Sequence, residues 1–281
     1  MSEIHIFNHT AMATQFQVRI AAGEKTYAAQ TAQAAFALTD KLESQLSRFR
    51  SNSDIISLAQ LQRGEKARVA APVFACLALA KKMELATRGA FSVTTAAFKN
   101  QAMPPQWTLL PDSFSVRCDT GRLEFDLGAI GKGFALDRMA EILREWDCWN
   151  FLLVAGGSSV LAGDAPPGTP GWSCGLGDNA SLRRFWLKNV SLSGSGLAVK
   201  GQHIIDPRNG RPAQRQNRTW ALADLAAESD ALSTAAMVLS EAEITEVVAS
   251  RPDWLVFVQE ENALRSFGIR TPPAVVEIPP A

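Results

Sequence analysis

Polar and apolar residues alternate over residues 15–20, where Phe16, Val18 and Ile20 face one way, and this predicts a strand. The period then lengthens: Ala35, Leu38, Leu42 and Leu46 fall on one stripe of residues 26–47, as in an amphipathic helix. A short helix is expected at 55–60 and another at 72–87, with Pro72 in its first turn and Arg88-Gly89 at its close. Residues 100–119 read as an irregular surface excursion, and 123–127 as a strand leading through Gly128-Ala-Ile-Gly-Lys-Gly133 into a helix over 134–145. Strands are expected at 151–155, 158–162, 172–176, 184–187 and 190–193, then a tight turn at Asp206-Pro-Arg-Asn-Gly210. A strand at 220–225, helices at 229–239 and 241–250, and a hairpin from 254–259 and 264–267 follow, with residues 272–281 as an extended Pro-rich tail. Strands and helices mix without strict βαβ alternation, repeat or linker. The expected fold is therefore α+β: a single mixed α/β domain with two lobes over residues 1–281.

Composition narrows the class further. With 47% apolar residues in 281, the chain has material for a substantial core, which excludes disordered and collagen-like classes. Lys and Arg (28) balance Asp and Glu (28), so there is no electrostatic footprint for nucleic acid or an anionic membrane. Cys76, Cys118, Cys148 and Cys174 are widely spaced and read as small buried hydrophobes in a reducing compartment. The longest largely apolar stretch, 69–80, is too short to span a bilayer and contains Pro72. The first residues carry neither region of a signal peptide, so the expected location is cytoplasmic, with no membrane anchor.

Three segments carry candidate chemistry. Gly128-x-x-Gly131-Lys132-Gly133 is too compact for a Walker A loop and has Gly133 where Ser or Thr would hold Mg²⁺. A strand, glycine turn and helix still present backbone N–H groups to an anion, with Lys132 adding charge; close packing of helix on sheet explains the same glycines. In Ser229-Asp-Ala-Leu-Ser-Thr234, Asp230, Ser233 and Thr234 share one helical face. They form a partial oxygen cage for Mg²⁺ or, alternatively, Ser229 or Asp230 caps the helix. His203 precedes the Asp206 turn and has the right acidity for a general base; a structural role at a strand end is the other reading. His5 and His9 read as solvated.

These pieces, in this order, resemble the ApbE family of FAD:protein FMN transferases. The matching stretches are Met12-Ala-Thr14, Leu46-Ser-Arg-Phe-Arg-Ser-Asn-Ser-Asp54, Gly89-Ala-Phe-Ser-Val-Thr94 and Asp126-Leu-Gly-Ala-Ile-Gly-Lys-Gly-Phe-Ala-Leu-Asp137. They continue with Val154-Ala-Gly-Gly157, Ser193-Gly194, His203-Ile-Ile-Asp-Pro-Arg-Asn-Gly210 and Asp230-Ala-Leu-Ser-Thr234. The resemblance implies a fold related to the T-fold, and an enzyme that uses Mg²⁺ to split FAD. Its members pass FMN to a Ser or Thr hydroxyl of an acceptor flavoprotein and release AMP. It further implies that Asp230, Ser233, Thr234 and the Ala129 carbonyl hold Mg²⁺, and that His203 is the base. Met12, Phe49, Ala90, Phe91, Ser92, Asp126, Lys132 and Ile205 would contact FAD. The chain departs from the family pattern at Ala13, Phe49, Ser92 and Ser158. An FAD pyrophosphatase yielding FMN and AMP, or a non-catalytic FAD store, are the alternative activities.

Overall fold

A computed structural model describes residues 3–21, 23–95, 104–177, 182–196, 204–213, 218–260, 263–269 and 275–278; of 275–277 it describes the backbone. Along the chain run β1 (His5–Ala11), β2 (Thr14–Ile20), α1 (Lys25–Leu46), α2 (Asp54–Leu58), β3 (Lys66–Arg68), α3 (Ala71–Ala86), β4 (Gln106–Leu110) and β5 (Ser115–Thr120). Then come α4 (Gly131–Glu145), β6 (Phe151–Ala155), β7 (Ser159–Ala162), β8 (Trp172–Leu176), β9 (Arg183–Leu187) and β10 (Val190–Gly196). The remainder is β11 (Arg218–Ala223), α5 (Ala226–Ala236), α6 (Glu241–Ala249), β12 (Leu255–Glu260), β13 (Ala263–Phe267) and β14 (Val275–Ile278).

Eight strands form one antiparallel sheet in the order β1-β2-β6-β7-β10-β11-β12-β13. Its two faces are both apolar, so both must be covered. Phe16, Val18, Ile20, Phe151 and Leu153 point into the larger core, which they share with Ala35 and Leu42 of α1, Leu136 and Met139 of α4, and Leu232 of α5. Leu152, Leu192, Leu222 and Phe257 point the other way, onto Trp172, Leu176, Phe185 and Leu187 of the three-stranded sheet β14-β9-β8. A third sheet, β3-β5-β4, packs on α3: Phe74 meets Phe114 edge-on, and Lys81 lies over the Trp107 ring. The mixed α+β architecture is the expected one.

Several local expectations are corrected. Leu123, Phe125 and Leu127 are buried alternately, as a strand's residues would be, yet this segment joins no ladder among the described residues. The stretch expected to be irregular holds β4 and β5 as a paired hairpin, turned by a 3-10 helix at Pro111–Ser113. β1 lies in the N-terminal segment, where no strand was expected. Its His5 is 6% exposed rather than solvated, and His9 is half-buried, stacked on Phe36 and bonded to Asp40 at 2.7 Å. The helix carrying Asp230 starts at Ala226, three residues before the expected position.

Candidate active site

The site grows from one end of the main sheet. Met12 and Ala13 form the two-residue β1–β2 turn with φ of 51° and 55°, the left-handed pair that such hairpin loops require. Gly156 and Gly157, at φ 58° and 66°, turn β6 into β7. A Cβ on Gly156 would lie 2.3 Å from Thr14 Oγ1, so the two turns abut. The next link is the Gly194 N–H, which donates to the Ser158 carbonyl at 2.7 Å and brings up the end of β10.

α5 lies against β10 because the facing side chains are small hydroxyls. Ser193 bonds to Ser229 at 2.9 Å, and Ser195 reaches Ser233 at 3.0 Å and Thr234 at 3.1 Å. Thr234 is the one residue of α5 that is not buried. Asp230 is buried and points to the start of α4. Its Oδ2 accepts from the Gly133 N–H at 3.0 Å and from Lys132 Nζ at 3.4 Å, and its Oδ1 accepts from Ser159 Oγ at 2.7 Å. Lys132 Nζ also donates to the Gly128 carbonyl at 3.3 Å.

The capping alternative for Ser229 and Asp230 is overturned. The first-turn N–H groups of α5, on Ala226 and Ala227, donate to the two oxygens of Asp137 at 2.7 and 3.0 Å, and Ser229 Oγ donates back to the Ala226 carbonyl. Burial pushes the Asp137 carboxyl up to about 7, against the pull of those two backbone bonds.

A second group of loops stands beside this centre. Asp126 accepts from the Gly128 N–H at 2.9 Å and pairs with Arg48 at 3.5 Å, while the Arg48 guanidinium sits 4.6 Å above the ring of Phe49, which is 82% exposed. The Asp126 N–H donates to the Val93 carbonyl at 2.7 Å, bringing in the 89–94 loop. There the side chains of Ala90 and Phe91 are buried in the core, and half-buried Ser92 bonds to Thr94 at 3.0 Å. Arg208 lies against Gly89 and thereby seats the Asp206 turn, whose neighbour Ile205 is half-buried and bridges to Pro212. Burial raises the Asp206 carboxyl less than its bonds to the Arg208 side chain and N–H lower it, so it stays below the usual carboxylate range.

Asp126, Phe49, the Ala90–Ser92 loop and Ile205 are thus linked in one chain of contacts, and Lys132, Asp230, Ser233 and Thr234 in another, with Ala129 in the glycine turn just before Lys132. The Asp126–Gly128 bond joins them, and Met12 stands at the tip of the hairpin whose Thr14 abuts Gly156. His203 lies outside the described residues. Sequence reasoning missed Arg48, Asp137, Ser159 and Ser195. Of these, Ser195 alone had a local signal, its alternation with Ser191 and Ser193 on one face of β10.

The donor set suits a hard cation. Among the described residues no three His, Cys, Asp or Glu side chains converge, so a site here is not an all-side-chain cage. Asp230 brings a carboxylate and Ser233 and Thr234 bring hydroxyls. The Ala129 carbonyl lacks a backbone donor among the described residues, because the Gly133 N–H that would reach it in a longer helix goes to Asp230. Carboxylate, hydroxyl and carbonyl oxygens fit Mg²⁺.

The ApbE family model matches residues 12–258, and the chain belongs to the ApbE family. It is 26% identical over 250 residues to the FAD:protein FMN transferase of Haemophilus influenzae, covering 74% of this chain and 70% of that one. The match to the Escherichia coli FAD:protein FMN transferase, at 27% identity, spans 46% of this chain and 41% of that protein, less than half its length. In fold, the apo flavinyl transferase ApbE of Pseudomonas stutzeri superposes with a TM-score of 0.81 at 20% identity, with 95% of each chain covered. The ApbE protein of Thermotoga maritima gives 0.79 at 21% identity, with 94% of this chain and 97% of that one covered. Among the described residues no helix is long and apolar enough to cross a membrane.

Proposed function

We propose that this protein is a Mg²⁺-dependent FAD:protein FMN transferase, moving FMN from FAD to a Ser or Thr hydroxyl of an acceptor flavoprotein and releasing AMP. The observation that carries this reading is the meeting of buried Asp230 with Lys132 and the α4 N-terminus, in a chain of a family whose curated relatives are named for that activity. Asp230, Thr234, Ser233 and the Ala129 carbonyl are the groups that would hold Mg²⁺. When bound, the ion would offset negative charge on the pyrophosphate oxygens as the bond to AMP breaks.

The chain's own residues do the rest. Lys132 presents a cation beside the glycine turn, where the positive end of the α4 dipole also favours phosphate. Phe49, held under Arg48, offers an exposed ring face for a planar heterocycle. The backbone of the Ala90–Ser92 loop, Asp126, Ile205 and Met12 would complete the contacts to FAD. His203 would take the proton from the acceptor hydroxyl as its oxygen bonds to the phosphorus of the FMN half, and AMP departs with the bridging oxygen.

The test is incubation of the protein with FAD and candidate acceptors, with and without Mg²⁺. AMP would be followed by chromatography and acceptor-bound flavin by fluorescence on a denaturing gel. A metal-dependent fluorescent band with stoichiometric AMP is expected, and Asp230→Ala should lower it roughly a hundredfold or more. AMP with free FMN alone would make the protein a pyrophosphatase, and bound FAD with no AMP would make it a store.

A further inference from the structure

We propose that Asp137, outside the metal set, is a positioning residue: it pins the start of α5 to α4 and so aims Asp230 at the α4 N-terminus. This rests on the metal reading above.

α5 has no capping side chain of its own, since Leu225 stands at its N-cap. An uncapped, buried helix start leaves N–H groups that must find acceptors. Asp137, 6% exposed, supplies both oxygens to Ala226 and Ala227. One turn further along α5, Asp230 accepts the first-turn N–H of Gly133, which lies one turn before Asp137 on α4. Each helix therefore caps the other with a carboxylate.

The exchange works only at close approach. A Cβ on Gly133 would sit 2.1 Å from the Ala226 carbonyl oxygen, so backbone touches backbone there. Sliding α5 along its axis would break the Asp137 bonds and the Asp230 bond together. Because Gly133 donates to Asp230, the Ala129 carbonyl has no backbone donor among the described residues. Asp137 thus fixes two of the metal-facing oxygens without facing the metal itself.

The experiment titrates Mn²⁺ against the full-length protein with ADP as an inert pyrophosphate, following free Mn²⁺ by electron paramagnetic resonance, alongside thermal unfolding. Asp137→Asn should weaken Mn²⁺ binding about 10- to 100-fold while remaining folded. Glu228→Gln is the control. Glu228 is also a buried α5 carboxylate, but it pairs with Lys82 at 2.8 Å and Arg251 at 2.9 Å, away from α4. It should lower the melting temperature and leave Mn²⁺ affinity at the parent value.

Parent-like Mn²⁺ affinity in Asp137→Asn overturns the proposal, as do affinity losses that track melting temperature in both variants. If Asp137→Asn does not fold, Ala226→Pro removes one of the two donors at a helix position that tolerates proline. Unchanged Mn²⁺ affinity there, or failure of that variant to fold as well, overturns the proposal. A parent protein that binds no Mn²⁺ with ADP sinks the metal reading itself, whereas parent binding with an indifferent Asp137 sinks this inference alone.

Discussion

Ala13 sits at φ 55°, where a β-carbon crowds the following carbonyl and glycine is at ease. The turn tolerates it because β1 and β2 pair in full register on either side. Ala13→Gly should therefore raise unfolding free energy by about 1 kcal/mol, read by urea titration. If FAD affinity rises as well, the Ala13 β-carbon obstructs the ligand; if stability alone changes, the strain is local. Asp137 makes a second prediction at this scale. Its carboxyl is raised in the folded state to about 7, so between about pH 4 and 7 the folded protein holds a proton that the unfolded chain has lost. The stability it contributes is complete at low pH and is lost as pH rises through 7. Urea titrations across pH 4–8 should show this downward slope in the parent and a flatter curve in Asp137→Asn. Equal slopes would mean that the two N–H bonds cancel the effect of burial.

The two glycines at the start of α4 look equivalent in sequence, and the structure separates them. A Cβ on Gly131 would meet Leu127 Cβ at 3.7 Å, an ordinary contact, whereas one on Gly133 would meet the backbone of Ala226 and Ala227 at 2.1 to 2.6 Å. Gly131→Ala should be neutral or stabilise the helix by up to about 1 kcal/mol. Gly133→Ala should cost about 3 kcal/mol, because neither backbone can yield, and should weaken Mn²⁺ binding with it. Thermal unfolding of the two variants side by side checks both. Period and turn chemistry revealed most elements, α1 and α3 among them, because their signals are local. The start of α5 was misplaced because its cap, Asp137, is 89 residues away in the chain. The segment 123–127 shows the limit of alternation: it reports one buried face, whereas a ladder needs a paired neighbour, and none stands among the described residues. β1 was missed because His5, Phe7 and His9 on one side and Ile6 on the other leave no clean contrast.

Taken as one molecule, the protein gathers residues from 12 to 234 at one end of its large sheet, and no periodicity shows that convergence. The family resemblance named the residues; the structure adds the bonds that connect their elements, through Gly156 to Gln15, Gly194 to Ser158, Ser195 to Thr234 and Gly133 to Asp230. Since these contacts tie the hairpin tips, β10, α4 and α5 together, a ligand that spans them should stabilise the whole fold and not one loop. FAD at a hundred times its Kd would add about 2.7 kcal/mol. Lys132 is the cation paired with Asp230, at 3.4 Å. Mg²⁺ and pyrophosphate together would give both groups new partners, so the two ligands should raise the melting temperature by more than the sum of their separate shifts. Asp230→Asn should keep the shift from FAD alone and lose the extra increment from Mg²⁺. An increment that survives in that variant would place the cation elsewhere and leave Asp230 as the cap of α4, a role its bond to Gly133 already fills.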